Sequence, residues 1–410
     1  MSRFRKSTDR PVPWTPAAVG PVLARLAAAE AELRRLPGAR LTELWVQAVD
    51  TLRRRAAEPT SPLRQALIDG TGLSPPGFDA AFGQILDGVT TPAARRLLAA
   101  SPHLPQVSRR PVAVLTSSNL PALAVQSLLP ALAARRPVLI KSPSAEPHFA
   151  PAFVEALASL EPALGRAVAA AMWGGGDEDV EDAVFGAVGR VIAYGDGATS
   201  ASLRRRLGER LLMHGPKLSL AILADDVDPA TAAPGLVRDI ALFDQRGCLS
   251  VQAILVVGPA ARRAAENLAP HVARHLEALH DRWPPGPAST AVRATVRQWR
   301  DEAIMAGAVM PELPFAAGTV IVDATGPLRS SPGGRCVRIH AATSGRAAEL
   351  LAPWSGRLQG AALAGSAAEA LRPLLSRLGV TYLAPPGRLQ APDVATWHNG
   401  GVAPLQPFLD

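Results

Sequence analysis

The amino-acid sequence predicts an α/β protein in which parallel sheets, flanked by helices, follow a helical N-terminal segment. Apolar residues make up 48% of the 410 positions, enough to bury a large core. From Arg110 onward, short apolar runs that end in polar or glycine-rich loops alternate with helical stretches. This alternation is typical of parallel sheets. Before Arg110, leucine and alanine recur at helical spacing instead.

The order of these elements predicts four parts of the chain. Residues 1–105 form a helical lead-in, in which residues 17–57 contain two helices separated at Pro37–Gly38. Residues 106–223 form a first parallel-sheet domain that ends in a strand pair, LLMHGPKLSLAIL. Residues 224–383 form a second domain that opens with a helix up to Gln245, and residues 384–410 form a loop-rich tail.

Composition excludes several classes of protein. Cys248 and Cys336 are too few for a disulfide framework or a cysteine-rich metal site, so no metal is predicted. The N-terminus lacks the apolar region of a secretory signal. The most apolar stretch, residues 120–134, is interrupted by Gln126 and Pro130, so no membrane span is predicted and a cytoplasmic location is expected.

The positive charge has two interpretations. The net charge is +8, but the arginines are scattered and few aromatic residues lie among them, so nucleic-acid binding is not expected. Small clusters such as Arg204–Arg206 are either solvated helix faces or contacts for a phosphate-bearing cofactor. Only three basic residues are lysine, namely Lys6, Lys141 and Lys217.

Cys248 is the candidate nucleophile. It lies in the run FDQRGCLS, where Gly247 leaves room for a ligand. Its backbone N–H and the nearby Arg246 would favour the thiolate, which is the reactive form of cysteine. Taken alone, a single cysteine is more often an inert core residue.

Polar residues follow the predicted strands of the first domain. The Asn119 amide is either a hydrogen-bond donor to an oxyanion or a helix cap. Lys141 either holds ribose or phosphate oxygens or is a solvated lysine. A glycine turn then enters a helix, whose free N–H groups suit a pyrophosphate. The residues of this turn are Gly195, Asp196, Gly197 and Thr199.

Together these residues resemble the aldehyde dehydrogenase superfamily, and within it the LuxC-type acyl-CoA reductases, the fatty acid reductases of bioluminescence operons. Asn119, Lys141, Gly195 and Cys248 occur in the family's order, at intervals of 22, 54 and 53 residues. The likeness runs from about Pro111 to about Gly258 and returns in the tail sequence GRLQAPDVATWHNGG.

The resemblance implies an aldehyde dehydrogenase-like fold with two Rossmann-like domains. Residues 106–223 would bind the cofactor and residues 224–383 would carry the catalytic cysteine. Asn119 would stabilise the oxyanion, and Lys141, Ser142, Ser144 and the Gly195 turn would hold the cofactor. A homo-oligomer is also implied.

Three departures from the superfamily pattern refine this expectation. MHGPK replaces the Glu-Leu-Gly-Gly-Lys motif, so Met213 stands where hydrolytic members have their water-activating Glu. The next residue, His214, has three interpretations: a general acid or base, a contact to the coenzyme, or a strand histidine whose hydrogen bonds are all made within the protein. Lys217 is expected to be structural. Ser144 replaces a ribose-binding Glu, which favours NADPH over NADH, although Glu146 lies nearby. The run SSPGGR, residues 330–335, lacks a second expected Glu.

The resemblance therefore predicts an NADPH-dependent reductase, with NADH as the alternative cofactor. Its substrate would be an acyl-CoA or another acyl-thioester, with a long acyl chain expected, and its product the aldehyde. The reaction would pass through an acyl group on Cys248. Two alternatives remain open: a cysteine-dependent acyltransferase or thioesterase without hydride transfer, and a degenerate member that acts as a structural subunit.

Overall fold

The computed structural model describes residues 11–100, 110–195 and 197–408, with residues 197–199 described by their backbone alone. Two parallel sheets form its framework, and helices cover both. The predicted α/β class, with a helical N-terminal segment, is confirmed. Among the described helices, none is long and apolar enough to cross a membrane.

The N-terminal helices begin where the sequence marks a helix start. They are α1 (Pro16–Arg35), α2 (Gly38–Ala57), α3 (Pro62–Thr71), α4 (Pro75–Asp87) and α5 (Thr91–Ala99). All except α2 carry a proline in their first turn, where a missing N–H leaves no hydrogen bond unmade. Ser61, Ser74 and Thr90 cap α3, α4 and α5 by accepting backbone N–H groups. The predicted break at Pro37–Gly38 separates α1 from α2.

The first sheet creates the crevice in which a ligand is expected. Its strands are β1 (Val112–Leu115), β2 (Val138–Lys141), β3 (Val168–Ala171), β4 (Arg190–Tyr194) and β5 (Leu211–His214). Their spatial order is β3-β2-β1-β4-β5, so the direction of strand order reverses between β1 and β4. Ligands bind beyond the carboxyl ends of the strands at such a reversal. The covering helices are α6 (Val125–Ala133), α7 (Phe149–Leu160), α8 (Pro162–Ala167), α9 (Glu178–Ala187) and α10 (Gly197–Leu207).

The second sheet forms the centre of the hydrophobic core in the C-terminal half of the chain. Its strands are β6 (Leu218–Ala224), β7 (Val251–Val257), β8 (Thr319–Val322), β9 (Cys336–Ala342), β10 (Leu358–Ala364) and β11 (Tyr382–Ala384). They are parallel in the order β11-β10-β6-β7-β9-β8. β7 and β9 are buried along their whole length, as expected for strands covered on both faces. The helices are α11 (Pro229–Ala241), α12 (Ala261–Arg282), α13 (Thr290–Met305), α14 (Ser344–Leu351), α15 (Ser366–Glu369) and α16 (Arg372–Arg377).

Two local predictions differ from the structure. The predicted strand pair after residue 210 is divided between the sheets, because β5 pairs with β4 whereas β6 pairs with β7 and β10. The chain changes sheets at the turn Gly215–Lys217, so residues 218–223 lie in the second sheet rather than the first. The helix predicted up to Gln245 ends at Ala241, since the backbone leaves the helical region at the next residue, Leu242, whose ψ is 138°.

The loop-rich tail is anchored to α11. The buried carboxylate of Asp239 accepts the backbone N–H of Gly387 at 2.7 Å. Gly235 lets the tail backbone approach, because a Cβ there would lie 2.7 Å from the Pro386 carbonyl oxygen. Gln390, also buried, donates to the Asp239 and Leu242 carbonyls. These contacts bring the following residues of the tail towards the junction of the two sheets.

Candidate active site

The loop before Cys248 has an uncommon backbone. Phe243, Asp244 and Gln245 have φ angles of 59°, 50° and 63°. Each such left-handed residue costs roughly 1–2 kcal/mol when it carries a Cβ. Three in succession persist only where surrounding contacts determine the conformation.

Asp244 provides one of those contacts. Its carboxylate pairs with the guanidinium of Arg335 at 2.8 Å and accepts the backbone N–H of Gly286 at 2.9 Å. Arg335 is fully buried and also donates to the Trp283 carbonyl. Because the buried guanidinium has only this carboxylate as its ionic partner among the described residues, removing either group would leave an uncompensated charge.

Gln245 provides a second set of contacts. Its buried amide donates to the carbonyls of Val251 (2.9 Å) and Cys336 (2.7 Å). Its Oε1 accepts the Cys336 N–H and the Ser331 hydroxyl, each at 3.0 Å. The segment 330–335, in which the expected Glu is absent, therefore lies beneath the cysteine loop and supports it through Gln245.

Cys248 follows this turn at the start of the approach to β7. Gly247 is packed closely, since a Cβ there would lie 3.0 Å from Gln390 Oε1 and 3.2 Å from Ser250 Oγ. The Cys248 carbonyl accepts the hydroxyl of Ser219 at 2.8 Å. These contacts fix the backbone on both sides of the thiol, which is partly exposed to a cavity.

The surroundings of the thiol favour its protonated form. Burial raises the pKa of Cys248 to about 11, although the backbone N–H groups of Cys248 and Leu249 act in the opposite direction. Arg246, expected to favour the thiolate, instead donates to the carbonyls of Thr71 and Phe243. The expected lowering of the pKa is therefore absent, because burial outweighs the backbone N–H groups.

Asn119, in the loop after β1, lies beside the cysteine loop. Its Nδ2 donates to the Arg246 carbonyl at 3.0 Å, and its Oδ1 accepts the Ser117 hydroxyl. These two contacts fix the amide's orientation. Since an amide nitrogen carries two hydrogens, one N–H remains for a ligand.

A cavity of about 410 Å³ lies between the two sheets and brings these groups together. Asn119, Gly195, His214 and Cys248 all line it. The tail contributes Trp397 and Asn399 to its wall. No Asp or Glu occurs among the described residues that line this cavity, so its wall has no carboxylate to activate water.

His214 and Tyr194 form one wall of the cavity. Tyr194 on β4 and His214 on β5 are register partners, and their rings stack with centroids 4.8 Å apart. Burial lowers the pKa of His214 to about 4, so its imidazole is neutral near pH 7. Tyr194 is bonded to Ser127 at 2.9 Å, and burial raises its pKa to about 12, with proximity to Cys248 contributing. Tyr194 was not predicted as a site residue, although its position at the end of β4 could have indicated one.

The predicted cofactor residues at the end of β2 lie at the carboxyl edge of the first sheet and do not line the cysteine cavity. Lys141 lies with its Nζ 5.9 Å from the centre of the Trp173 ring, and burial lowers its pKa. Ser142 is buried, and its hydroxyl has no hydrogen-bond partner in the described part of the chain. Ser144 follows at the surface. Glu146 turns inward, where its carboxylate accepts the N–H groups of His148 and Phe149.

The predicted phosphate turn is described in part. Gly195 follows β4 and lines the cavity of Cys248. Gly197 and Thr199 belong to the first turn of α10. Asp196 lies outside the described residues. The backbone thus has the predicted strand–turn–helix sequence at this edge of the sheet.

Comparison with known families decides the classification. A family model described as acyl-CoA reductase (LuxC) matches residues 106–410. The chain belongs to the LuxC family. The resemblance predicted from Asn119, Lys141, Gly195 and Cys248 is confirmed at the level of the family.

Curated relatives of this LuxC protein are described as long-chain acyl-protein thioester reductases. That of Aliivibrio fischeri is 27% identical over 236 residues, which cover 55% of this chain and 47% of the relative. That of Photobacterium leiognathi is 27% identical over 170 residues, covering 40% and 36%. The chain thus spans less than half the length of these two relatives.

Solved structures extend the likeness to the whole fold. An NAD-dependent benzaldehyde dehydrogenase from Corynebacterium glutamicum has a TM-score of 0.71 at 17% identity, covering 92% of this chain and 87% of the other. A methylmalonate-semialdehyde dehydrogenase from Oceanimonas doudoroffii also has 0.71, at 16% identity with coverages of 93% and 84%. The LuxC protein therefore has the predicted aldehyde dehydrogenase-like fold.

Met213 lies on β5 beside His214, as expected from the MHGPK sequence. It packs against the first sheet's core, and it lines a neighbouring cavity rather than that of Cys248. Position 213 therefore does not contribute to the wall of the Cys248 cavity, and the lack of a carboxylate among the described residues of that wall does not depend on Met213. Among the residues that the structure describes, no group of His, Cys, Asp and Glu is arranged to hold a metal ion.

Proposed function

We propose that this LuxC protein reduces a long-chain acyl-thioester to its aldehyde through an acyl group carried on Cys248. The observation that carries the proposal is the cavity wall, which combines a thiol and an amide donor with no carboxylate among its described residues. The long-chain thioester reductases among its relatives support this substrate class.

Cys248 Sγ would attack the thioester carbonyl carbon. The tetrahedral oxyanion would accept the remaining N–H of Asn119 and the backbone N–H of Cys248, and each such donor is worth roughly 3 kcal/mol. The oxyanion then collapses, the carbon–sulfur bond to the substrate's thiol breaks, and that thiol leaves with a proton. The acyl group stays on Cys248.

A reductase must keep water from its acyl-enzyme, and this cavity is suited to that task. Hydrolysis needs a base beside the acyl group. His214 is the one imidazole in the described wall, and its pKa of about 4 makes it a weak base. Reduction is therefore favoured over the thioesterase alternative, and a thiol that faces a cavity argues against a purely structural subunit.

The residues at the carboxyl edge of the first sheet fit a nicotinamide dinucleotide. The buried hydroxyl of Ser142 lacks a partner among the described residues, and Lys141 offers a cation beside it. We propose NADPH, because Glu146 is committed to backbone N–H groups and Ser144 carries no charge to repel a 2′-phosphate. Related folds bind nicotinamides: an aldehyde dehydrogenase of Pseudomonas syringae was solved with NAD⁺ and octanal. When bound, NADPH supplies the hydride that converts the acyl group to the aldehyde.

The test is to incubate the protein with a radiolabelled long-chain acyl-CoA, with and without NADPH. Without NADPH, labelled protein is expected; with NADPH, the label should leave as aldehyde. Cys248→Ser should remove both products, whereas the matched variant Cys336→Ser should retain them, because Cys336 is buried in β9. Aldehyde formation by Cys248→Ser at a rate near wild type would refute the proposal. Release of free acid in place of aldehyde would favour the thioesterase.

A further inference from the structure

A second cavity adjoins that of Cys248 at the β5 edge of the first sheet. Its volume is about 610 Å³, within the usual range for ligand sites. It is bounded by α10, β5 and part of the tail, and both cavities are lined by His214, Asn399 and the turn Gly215–Lys217. A ligand that reaches Cys248 can therefore extend into this second cavity.

The second cavity carries positive charge without compensation. Arg204 and Lys217 line it, and the described lining contains no Asp or Glu. Arg204 Nε donates to the neutral Ser200 hydroxyl at 3.2 Å, and Lys217 Nζ donates to the Gly356 carbonyl at 2.6 Å. Arg206, on the same helix as Arg204, differs, because it is paired with carboxylates of α9.

The second cavity lies away from the predicted cofactor residues of β2. Lys141 and Ser142 lie at the end of β2, whereas the second cavity lies against β5. β1 and β4 stand between these two strands, and at a strand spacing of about 4.8 Å the separation is roughly 14 Å. The predicted phosphate turn is nearer, because α10 begins there, but Gly195 does not line the second cavity. A dinucleotide held by Lys141, Ser142 and Gly195 therefore leaves this cavity available for the substrate.

We propose that the second cavity binds the phosphate ester of the substrate's thiol portion, a phosphopantetheine-type arm such as that of coenzyme A. The inference rests on the proposed function, since it names the carrier of the acyl group. Arg204 and Lys217 provide the charge that recognises a phosphate. The polar side chains of Ser200 and Asn399 line the same cavity and suit the amides of the arm.

The test compares two thioesters of one acyl chain, one on coenzyme A and one on N-acetylcysteamine, which has no phosphate. Arg204→Gln should raise KM for the acyl-CoA at least tenfold and leave that of the N-acetylcysteamine thioester within twofold, because Arg204 lines the second cavity and does not line that of Cys248. Arg205→Gln is the matched control, because this exposed arginine of α10 does not line the cavity. It should change neither value. Arg204→Lys should retain most of the affinity for acyl-CoA.

Two further measurements separate this inference from the proposed function. An equal rise in KM for both thioesters would overturn the inference. A rise in KM for NADPH without a rise for NADH would also overturn it, because the cavity would then bind the cofactor's 2′-phosphate. Calorimetry with free coenzyme A reports on the cavity without turnover. Weaker coenzyme A binding to Arg204→Gln would support the site even if no aldehyde formed. Unchanged coenzyme A binding alongside normal aldehyde production would refute the site and leave the function standing.

Discussion

Without ligands, Cys248 is expected to react as a buried thiol rather than as a preformed thiolate. Its pKa of about 11 lies above the value of about 8.5 for a free cysteine. At pH 7 the thiolate fraction is then roughly 10⁻⁴, compared with a few per cent for an exposed cysteine. Reactivity near neutral pH should be lower by about two orders of magnitude.

His214 does not change this expectation. Its pKa of about 4 lies far below that of the thiol, so transfer of the proton from Cys248 to the imidazole is strongly uphill. Tyr194 is protonated as well near pH 7. Activation of Cys248 is therefore expected to depend on groups that a substrate or cofactor brings beside the sulfur.

The assay is alkylation by iodoacetamide in the Cys336→Ser background, so that Cys248 is the single thiol. The rate should rise about tenfold per pH unit up to about pH 10 without a plateau. The same protein in denaturant should show a midpoint near the free-cysteine value of about 8.5. A plateau below pH 8 in the folded protein would refute the assignment of a protonated thiol. Repeating the titration with NADPH or coenzyme A would identify the ligand that lowers the pKa.

Two further predictions concern the contacts around the cysteine loop. Gln245→Met keeps the side chain's volume but removes four hydrogen bonds, so it should cost about 3–5 kcal/mol of stability and slow acyl-enzyme formation. Gln252→Met loses one long hydrogen bond to Gln245 and should cost about 1 kcal/mol or less. Urea titration of both variants measures these costs, and equal costs would contradict the supporting role of the Gln245 side chain. Burial raises the pKa of Asp239 to about 7, so its folded form holds a proton that the unfolded chain releases near pH 4. Stability from this group is therefore greatest below pH 4 and decreases as the pH rises to 7; Asp239→Asn should abolish that slope, and an unchanged slope would exclude Asp239 as its source.

The fold was predictable from sequence because its local signals agree with one another. Apolar runs such as residues 112–115 and 138–140 are too short for helices and end in polar loops, and prolines mark most of the N-terminal helix starts. The division of β5 and β6 between two sheets was not predictable in this way. Both runs are apolar, and pairing partners are set by packing over long distances in the chain, which periodicity does not report.

Part of the candidate site was predictable from the position of polar residues along the chain. Asn119 and Gly195 follow strands of the first sheet and His214 ends one, whereas Cys248 precedes β7. All four line one cavity. The contribution of the tail was missed, because it depends on how residues after 385 dock on α11. The left-handed turn before Cys248 was missed as well, since Phe-Asp-Gln contains no glycine to signal a positive φ.

The docking of the tail has a consequence for biosynthesis. Trp397 and Asn399 close the wall beside Cys248, although they are made about 150 residues after it. While the ribosome translates the intervening stretch, the nascent chain carries the Cys248 thiol without this part of the cavity wall. Synthesis must therefore pass residue 399 before the cavity is complete, and chains that end earlier would leave Cys248 more exposed to solvent.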